Sequence, residues 1–173
     1  MPKLITIPST GVSISEAGAL FRAQLGHGNA VKCPCCRRLG IVVRRKLHSG
    51  IASSLCWLVW RYRLTGMWIY VPDESPKWLI KFREWGRLRF WGLVEARPGD
   101  DEDKKTSGMW RPTPLGFDFA DGVVQVPECI FTYDNSVVER SRELIHIEEA
   151  LDARFSYREL LDAGQGPSDV APR

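Results

Sequence analysis

The sequence predicts an α+β protein, and three observations lead to that fold class. Helical and alternating apolar patterns follow one another along a chain of 173 residues, of which 44% are hydrophobic, enough for one good core with a small appendage. A Cys-Pro knuckle joins two short strand-like pieces in the first quarter of the chain. Near the middle, a helical segment is followed by a strand, a charged loop and a second strand. We therefore expect helices combined with short sheets.

The first predicted segment is 1–47. After the strand-like LITIP, Ser13 and Glu16 form an S-x-x-E capping box. Apolar residues then recur at helical spacing: Ile14, Ala17, Phe21 and Leu25. AVKCPCCRRLGIVVRRKL follows, with two β-prone pieces around the knuckle, the second ending in three basic residues. This segment is expected to hold an N-terminal helix and a small Cys knuckle and β-hairpin with a basic strand.

The second predicted segment is 48–122. Ser49 can cap a helix over 49–63 whose apolar face is Ile51, Leu55, Leu58, Val59 and Tyr62. The order continues with a strand (67–72), one or two helices (76–91, with Gly86 as the weak point), a strand (92–97), a loop, a strand (109–113) and a helix (114–121). Gly92 can end the preceding helix, Thr113 can cap the last one, and Pro114 suits its first position. This is the order of a winged helix-turn-helix core.

The remainder is predicted as 123–163, a C-terminal β-hairpin turning at Asp134-Asn135 plus two short helices. The helices are HIEEALDA and SYRELLDA, the second with a capping box from Ser156 to Glu159. His146 lies between a strand edge and the first of these helices and is interpreted as structural. Residues 164–173 are expected to form a disordered tail.

The predicted wing resembles that of MarR-type transcriptional regulators over some 35 residues. The matching residues are Leu88, Gly92, Leu93, Val94, Thr113 and Gly116. Across nearly the whole chain, CPCC, RRKLHSGIASSLCWL, LRFWGLVE, MWRPTPLGFDFADG and the VPECIFTYDNSVV hairpin together resemble small bacteriophage or prophage winged-helix proteins with an N-terminal Cys-Pro-x-Cys segment. The resemblance implies a winged-helix fold and a phage setting, with the host bacterial cytoplasm as the expected location.

The charge distribution predicts a polyanion ligand. Residues 1–97 hold 16 Lys/Arg and 5 Asp/Glu, a balance of +11, whereas residues 98–173 hold 8 and 16, a balance of −8. We expect a DNA-binding protein with phosphate contacts from the basic side chains, and transcriptional regulation is one role open to such a protein. The candidates are Arg37, Arg38, Arg44, Arg45, Lys46, Lys81, Arg83, Arg87, Arg89, Lys104 and Lys105. The alternative is that the two halves neutralise each other.

A second function stays open beside DNA binding. The loop between the wing strands carries four consecutive acidic residues, Asp100–Asp103, which oppose phosphate binding. The segment 76–91 is short for the two helices of a helix-turn-helix. Both features favour a protein-interaction module that inhibits or recruits a host protein. In either case we expect a homodimer.

The cysteines predict a zinc site. Cys33 and Cys36 have the C-x-x-C spacing at which two thiolates can meet one tetrahedral zinc ion. His27 and His48 flank the knuckle and can complete the set, or two chains can share one ion through paired knuckles. A tight turn with free thiols, or a redox role promoted by the neighbouring arginines, are the alternatives. Cys56 and Cys129 are expected to be buried apolar side chains.

No catalytic motif is present in the sequence, which has no Gly-rich phosphate loop, no G-x-S-x-G and no H-E-x-x-H. We therefore expect a protein that is not an enzyme. No apolar run approaches the roughly 20 residues that cross a bilayer, and the N-terminus lacks the apolar block of a signal peptide, so a cytoplasmic protein without a membrane partner is expected.

Overall fold

The computed structural model describes residues 3–7, 11–26, 28–82, 84–99 and 107–151, with residues 81 and 82 described by their backbone alone. The predicted helix SYRELLDA, its capping box and the predicted tail 164–173 lie outside these residues. The described helices are α1 (Ile14–Gln24), α2 (Ser49–Thr65), α3 (Val71–Glu74), α4 (Lys77–Phe82), α5 (Pro114–Ala120) and α6 (Ile147–Leu151), with a 3-10 helix at Trp85–Trp91.

The described strands are short and belong to four small sheets. They are β1 (Lys3–Thr6), β2 (Asn29–Lys32), β3 (Leu39–Ile41), β4 (Val43–Lys46), β5 (Ile69–Tyr70), β6 (Val94–Ala96), β7 (Met109–Pro112), β8 (Val126–Pro127), β9 (Cys129–Tyr133), β10 (Ser136–Arg140) and β11 (Leu144–Ile145). The α+β class predicted from the sequence is confirmed.

The chain divides into two compact units. The first unit contains the described residues up to Lys46 together with Cys129–Ser141, and the second contains Leu47–Glu128 and the described residues from Arg142 onward. The predicted segment 123–163 is therefore divided between the units. The reason is strand pairing, because β9 lies antiparallel to the basic strand β4, with Val43 opposite Thr132 and Lys46 opposite Cys129.

The first unit contains two three-stranded sheets, β1-β2-β3 and β10-β9-β4. Helix α1 joins the parallel strands β1 and β2, and it begins at the predicted capping box, in which Ser13 and Glu16 each bond to the other's backbone. Its predicted apolar face is only partly right, since Ala17 is buried but Ile14 is 82% exposed. Strands β9 and β10 turn at Asp134 and Asn135, both with positive φ, as the sequence predicted.

Helix α2 forms the centre of the second unit. The sequence predicted one apolar face, but every residue from Ile51 to Val59 is buried, because α2 contacts α5, α6, β7 and the 3-10 helix. The buried Ser53 and Ser54 hydroxyls both donate to the Gly50 carbonyl oxygen, which satisfies them inside the core. The predicted cap at Ser49 is wrong, because Ser49 is already helical and the His48 side chain accepts the cap hydrogen bond.

The second unit also contains two small sheets, one of order β5-β7-β6 and one of β11 with β8. The predicted helical segment 76–91 is two pieces, α4 and the 3-10 helix, and the break comes before Gly86 rather than at it. Gly92 ends the 3-10 helix in the left-handed conformation, as predicted, with φ of 76°. His146 lies between β11 and α6, where the sequence placed it, and its backbone N–H donates to Glu149 Oε2 at 2.9 Å. Among the described helices, none combines the length and the apolar character that crossing a membrane requires.

Candidate nucleic-acid interface and cysteine turn

The cysteine turn, residues 33–38, connects β2 to β3. The two strands pair antiparallel with Lys32 opposite Leu39, directly at the ends of the turn. Two backbone hydrogen bonds close it: the Cys33 N–H donates to the Arg38 carbonyl at 2.8 Å, and the Arg37 N–H donates to the Cys33 carbonyl at 2.9 Å. Arg37 has a left-handed backbone, with φ of 60°. The Cys-Pro knuckle predicted from the sequence is therefore present as a tight, closed turn.

In the turn, the Cys33 sulfur accepts hydrogen bonds from two backbone N–H groups. The backbone N–H groups of Cys36 and Cys35 bond to it and lower the pKa of the Cys33 thiol below its ordinary value, and the thiols of the same two residues add to this effect. The pKa of Cys35 is raised instead, by partial desolvation first and by the neighbouring Cys33 charge second. Cys35 and Cys36 are exposed and Cys33 is half-buried, so a ligand from solvent can reach this cluster.

The two histidines proposed as further zinc ligands, His48 and His27, have different outcomes. Both His48 ring nitrogens are engaged within the second unit: Nδ1 accepts from the Gly50 N–H at 3.2 Å, and Nε2 lies 3.0 Å from Glu84 Oε2. His27 lies outside the described residues. Within the part of the chain that the structure describes, no three His, Cys, Asp or Glu side chains are grouped so that they could hold a metal ion.

Cys56 and Cys129 are buried, as the sequence predicted. Complete burial raises the pKa of the Cys56 thiol to about 12. Both residues are therefore small apolar core side chains.

Strand β4 carries the basic cluster of the first unit at the edge of its sheet. The Arg44 and Lys46 side chains are exposed, whereas Arg45 points to the other face and its Nε donates to Thr132 Oγ1 at 2.9 Å. Arg37 and Arg38 are exposed on the cysteine turn. Among the predicted phosphate-binding residues in the first unit, Arg45 is thus held in an internal contact with a buried threonine.

In the second unit, the 3-10 helix carries two of the predicted cations. Arg87 pairs with Glu84, the same carboxylate that His48 contacts, while Arg89 is exposed with its guanidinium carbon 5.0 Å from the Phe90 ring centroid. The remaining predicted residues lie outside the described side chains: Lys81, Arg83, Lys104 and Lys105.

The structure also brings together a pair that sequence reasoning missed. The guanidinium carbon of Arg111 lies 4.3 Å from the Trp68 ring centroid, and Arg111 Nε donates to the Glu95 carboxylate. Trp68 directly precedes β5, and Arg111 lies on β7, which pairs with β5. A stacked Trp–Arg pair on a sheet is a surface on which bases can stack. No local pattern could have found it, because the two residues meet only through the sheet.

Ion pairs between the two halves of the sequence include Arg63 with Asp121, at 2.6 Å, and Glu95 with Arg111. Arg61 pairs instead with Glu74, at 2.8 Å, within the basic half. Arg37, Arg38 and Arg44 on the first unit are exposed.

Thr113, one of the residues that carry the MarR resemblance, connects the end of β7 and the start of α5 to the end of the 3-10 helix. The Thr113 N–H donates to the Leu93 carbonyl at 3.0 Å, and the Thr113 hydroxyl donates to the Gly92 carbonyl at 2.6 Å. The same hydroxyl oxygen accepts from the Gly116 N–H at 3.1 Å and caps α5, with Pro114 at its first position. The predicted cap at Thr113 is confirmed.

No protein-family model, curated protein or solved structure matches the chain.

Proposed function

We propose that the protein binds duplex DNA through a winged-helix arrangement of the second unit, with the exposed cations of the basic half contacting phosphate. The order α2, β5, α3–α4, 3-10 helix, β6, loop, β7, α5 supports this proposal, as does the sheet order β5-β7-β6. The resemblance of the wing to MarR-type regulators favours a role in transcription, in a phage setting.

One observation carries the proposal: the basic half of the sequence keeps exposed cations on its ordered surface. Arg44 and Lys46 are exposed on β4, and Arg89 is exposed on the 3-10 helix that leads into the wing strand β6. Exposed cations release counterions from DNA when they neutralise phosphates, and this supplies affinity without sequence preference. The Trp68–Arg111 stack adds a second mode of contact on the wing sheet.

A fluorescence-anisotropy titration of the full chain with a labelled duplex tests the proposal. If about six cations reach phosphates, log K should fall with log salt with a slope of about −5. Arg44→Ala and Arg89→Ala should each reduce the slope by about 1. Arg140→Ala is the matched control, because Arg140 is an exposed arginine on β10 in the acidic half. No binding at about 50 mM salt, or a response independent of salt, rules the proposal out.

A second candidate function is supported by the shape of the helical segment before the wing. Helix α4 has six residues, α3 has four, and the element that directly precedes β6 is a 3-10 helix of seven residues rather than an α-helix. Recognition helices that enter the major groove are longer α-helices. This favours a winged-helix unit that contacts a host protein.

Neutralising the acidic run in the wing loop separates the two functions. If the wing lies beside DNA, replacing Asp100–Asp103 by Asn should tighten duplex binding, because the carboxylates repel phosphate. If the unit contacts a protein and not DNA, neither the wild-type chain nor this variant should bind the duplex, and a host protein should co-purify in stoichiometric amount after nuclease treatment.

A further inference from the structure

The cysteine turn has the backbone geometry that suits a thiolate metal ligand. Two successive N–H groups, from Cys35 and Cys36, converge on the Cys33 sulfur. Converging backbone amides of this kind form small anion-binding concavities, which recur at iron–sulfur and phosphate sites. The left-handed Arg37 turns the chain back toward β3 immediately after Cys36. The backbone of the turn therefore directs two N–H donors at one sulfur, an arrangement that suits a thiolate ligand.

The same turn provides only two ligands at the right spacing. Cys33 and Cys36 are separated by two residues, the spacing at which both sulfurs can bind one tetrahedral ion. A structural zinc site is closed by four protein ligands. The described residues offer no group of three potential ligands, and His48 is held by Gly50 and Glu84 in the second unit. A zinc ion bound by Cys33 and Cys36 would therefore need two further ligands from outside this set.

We propose that Cys33 and Cys36 form half of a tetrahedral thiolate site for zinc, and that the same two residues of a second copy of this chain complete it. A second copy supplies an identical pair of sulfurs from an equally exposed turn, in a two-fold, self-complementary contact. The proposal is independent of DNA binding and of the winged-helix assignment.

The charges around the turn fit this occupant. Four thiolates around one zinc ion carry a net charge of about −2. Lys32, Arg37 and Arg38 are exposed at or beside the sulfurs, so a paired site has six cations around a dianion. Without the ion, the same six cations would repel each other across a two-fold contact. Binding of the ion, with loss of the four thiol protons, places two negative charges among these cations and so offsets part of the repulsion.

The sheet next to the turn also presents apolar side chains to solvent. Leu39 begins β3 directly after the turn, and it is 52% exposed. Leu4 and Ile41 flank Ala30 across β1, β2 and β3, and they are 61% and 45% exposed. Because Lys32 is opposite Leu39, all of these residues lie on one face of the sheet. A second copy docked at the turn can bury this surface.

Binding is a proton-releasing reaction, and its balance fixes the stoichiometry. Two chains, each with two thiols, take up one Zn²⁺ and release four protons, and no electron is transferred. Metal-free, reduced full-length protein titrated with zinc should therefore show a break at about one ion per two chains. Light scattering should show the mass doubling over the same range and returning to the monomer on addition of a chelator.

Single substitutions of the three cysteines in the turn test which of them bind the zinc ion. Cys33→Ser and Cys36→Ser should each abolish zinc retention and zinc-dependent doubling. Cys35→Ser is the matched control, since it removes an exposed thiol of the same turn outside the proposed pair and should leave both properties intact. Cobalt in place of zinc should give the visible bands of a tetrahedral thiolate complex in the wild type and in Cys35→Ser only.

The wild-type titration alone can overturn the proposal, even if a variant fails to fold. One ion per chain with no change in mass would place the missing ligands elsewhere in the same chain. No zinc uptake, or doubling that does not depend on zinc, would also contradict the shared site. Loss of zinc from Cys35→Ser to the same degree as from Cys33→Ser would contradict the assigned pair.

Discussion

The carbonyl oxygen of Leu93 lies 2.0 Å from the point that a Cβ atom on Gly116 would occupy. The two residues come together because Thr113 fixes the start of α5 against the end of the 3-10 helix, through hydrogen bonds to Leu93 and Gly92. The glycine of the MarR-like pattern is therefore required by close backbone approach. Its φ is not in the left-handed region, so conformational freedom is not the reason.

We predict that Gly116→Ala destabilises the second unit by about 1–3 kcal/mol, the usual effect of overpacking, or more because backbone must move. Tryptophan fluorescence during urea unfolding measures this, since all seven tryptophans lie between residues 57 and 110, in that unit. Gly86→Ala is the control: its Cβ would meet only the Trp110 ring at 3.7 Å, an ordinary contact. Equal stability of both variants would contradict the role given to the Leu93 carbonyl.

The Thr113 hydroxyl should account for part of the same anchor. Thr113→Val keeps the side-chain shape but removes the cap to Gly116 and the donor to Gly92. We expect a loss of about 1–2 kcal/mol in the same urea unfolding experiment, the usual effect of removing a helix cap. Thr113→Ser keeps the hydroxyl and should recover most of that loss. If Thr113→Ser is as unstable as Thr113→Val, the Thr113 methyl group and not the hydroxyl cap contributes the stability.

Elements specified by local chemistry were predictable from the sequence. The capping box of Ser13 with Glu16, the turn at Asp134-Asn135 and the start of α5 at Thr113 each depend on residues within three positions of one another. Such signals need no knowledge of the tertiary fold. They located the start of α1, the turn between β9 and β10, and the start of α5.

Features that depend on distant partners were not predictable. The division of the predicted segment 123–163 follows from the pairing of β9 with β4, which no local pattern reveals. Burial of every residue of α2 from Ile51 to Val59 depends on elements distant in sequence, among them α5, α6, β7 and the 3-10 helix. In the candidate site, only the strand register distinguishes the exposed Arg44 from Arg45, whose guanidinium contacts Thr132. The two adjacent arginines in the sequence do not by themselves indicate which side chain is exposed.

A comparison of Trp91 with Trp78 tests how much one internal hydrogen bond contributes to the free energy of unfolding. The Trp91 indole N–H donates to the Pro127 carbonyl at 2.7 Å, whereas the buried indole N–H of Trp78 has no acceptor among the described residues. Replacing either residue by Phe removes similar volume, but only Trp91→Phe breaks a bond and leaves a carbonyl without its donor. We predict that Trp91→Phe loses about 1–2 kcal/mol more than Trp78→Phe in thermal unfolding followed by circular dichroism. A reversed order would contradict the assigned bond.

The thiols should react with iodoacetamide in a fixed order. Near neutral pH, Cys33 should be alkylated before Cys35, because the pKa of Cys33 is lowered and that of Cys35 is raised, and the thiolate is the nucleophile. The alkylation rate of Cys33 should stay high as the solution is acidified from pH 9. It should fall only when the pH passes through the lowered pKa of this thiol. Cys56 and Cys129 should react on unfolding alone, since both are buried. Peptide mapping by mass spectrometry measures all five sites, and reaction in urea, where the order should disappear, is the control.

The buried Cys56 thiol should make the second unit less stable at alkaline pH. Its pKa is raised from an ordinary 9.0 to about 12 by burial, so the unfolded chain ionises there first. A neutral Cys56 therefore favours the folded state below pH 9, and this contribution is lost as pH rises from 9 toward 12.

Cys56→Ala should destabilise the protein by about 1–2 kcal/mol at neutral pH, through the cavity it leaves. That deficit should shrink as pH rises above about 9, because the alanine variant has no thiol to ionise. Leu58→Ala, in the same helix, also leaves a cavity but removes no titratable group, so its deficit should stay constant across the same range. Urea unfolding at several pH values measures both, and a Cys56→Ala deficit as constant as that of Leu58→Ala would show that the Cys56 thiol does not couple folding to pH.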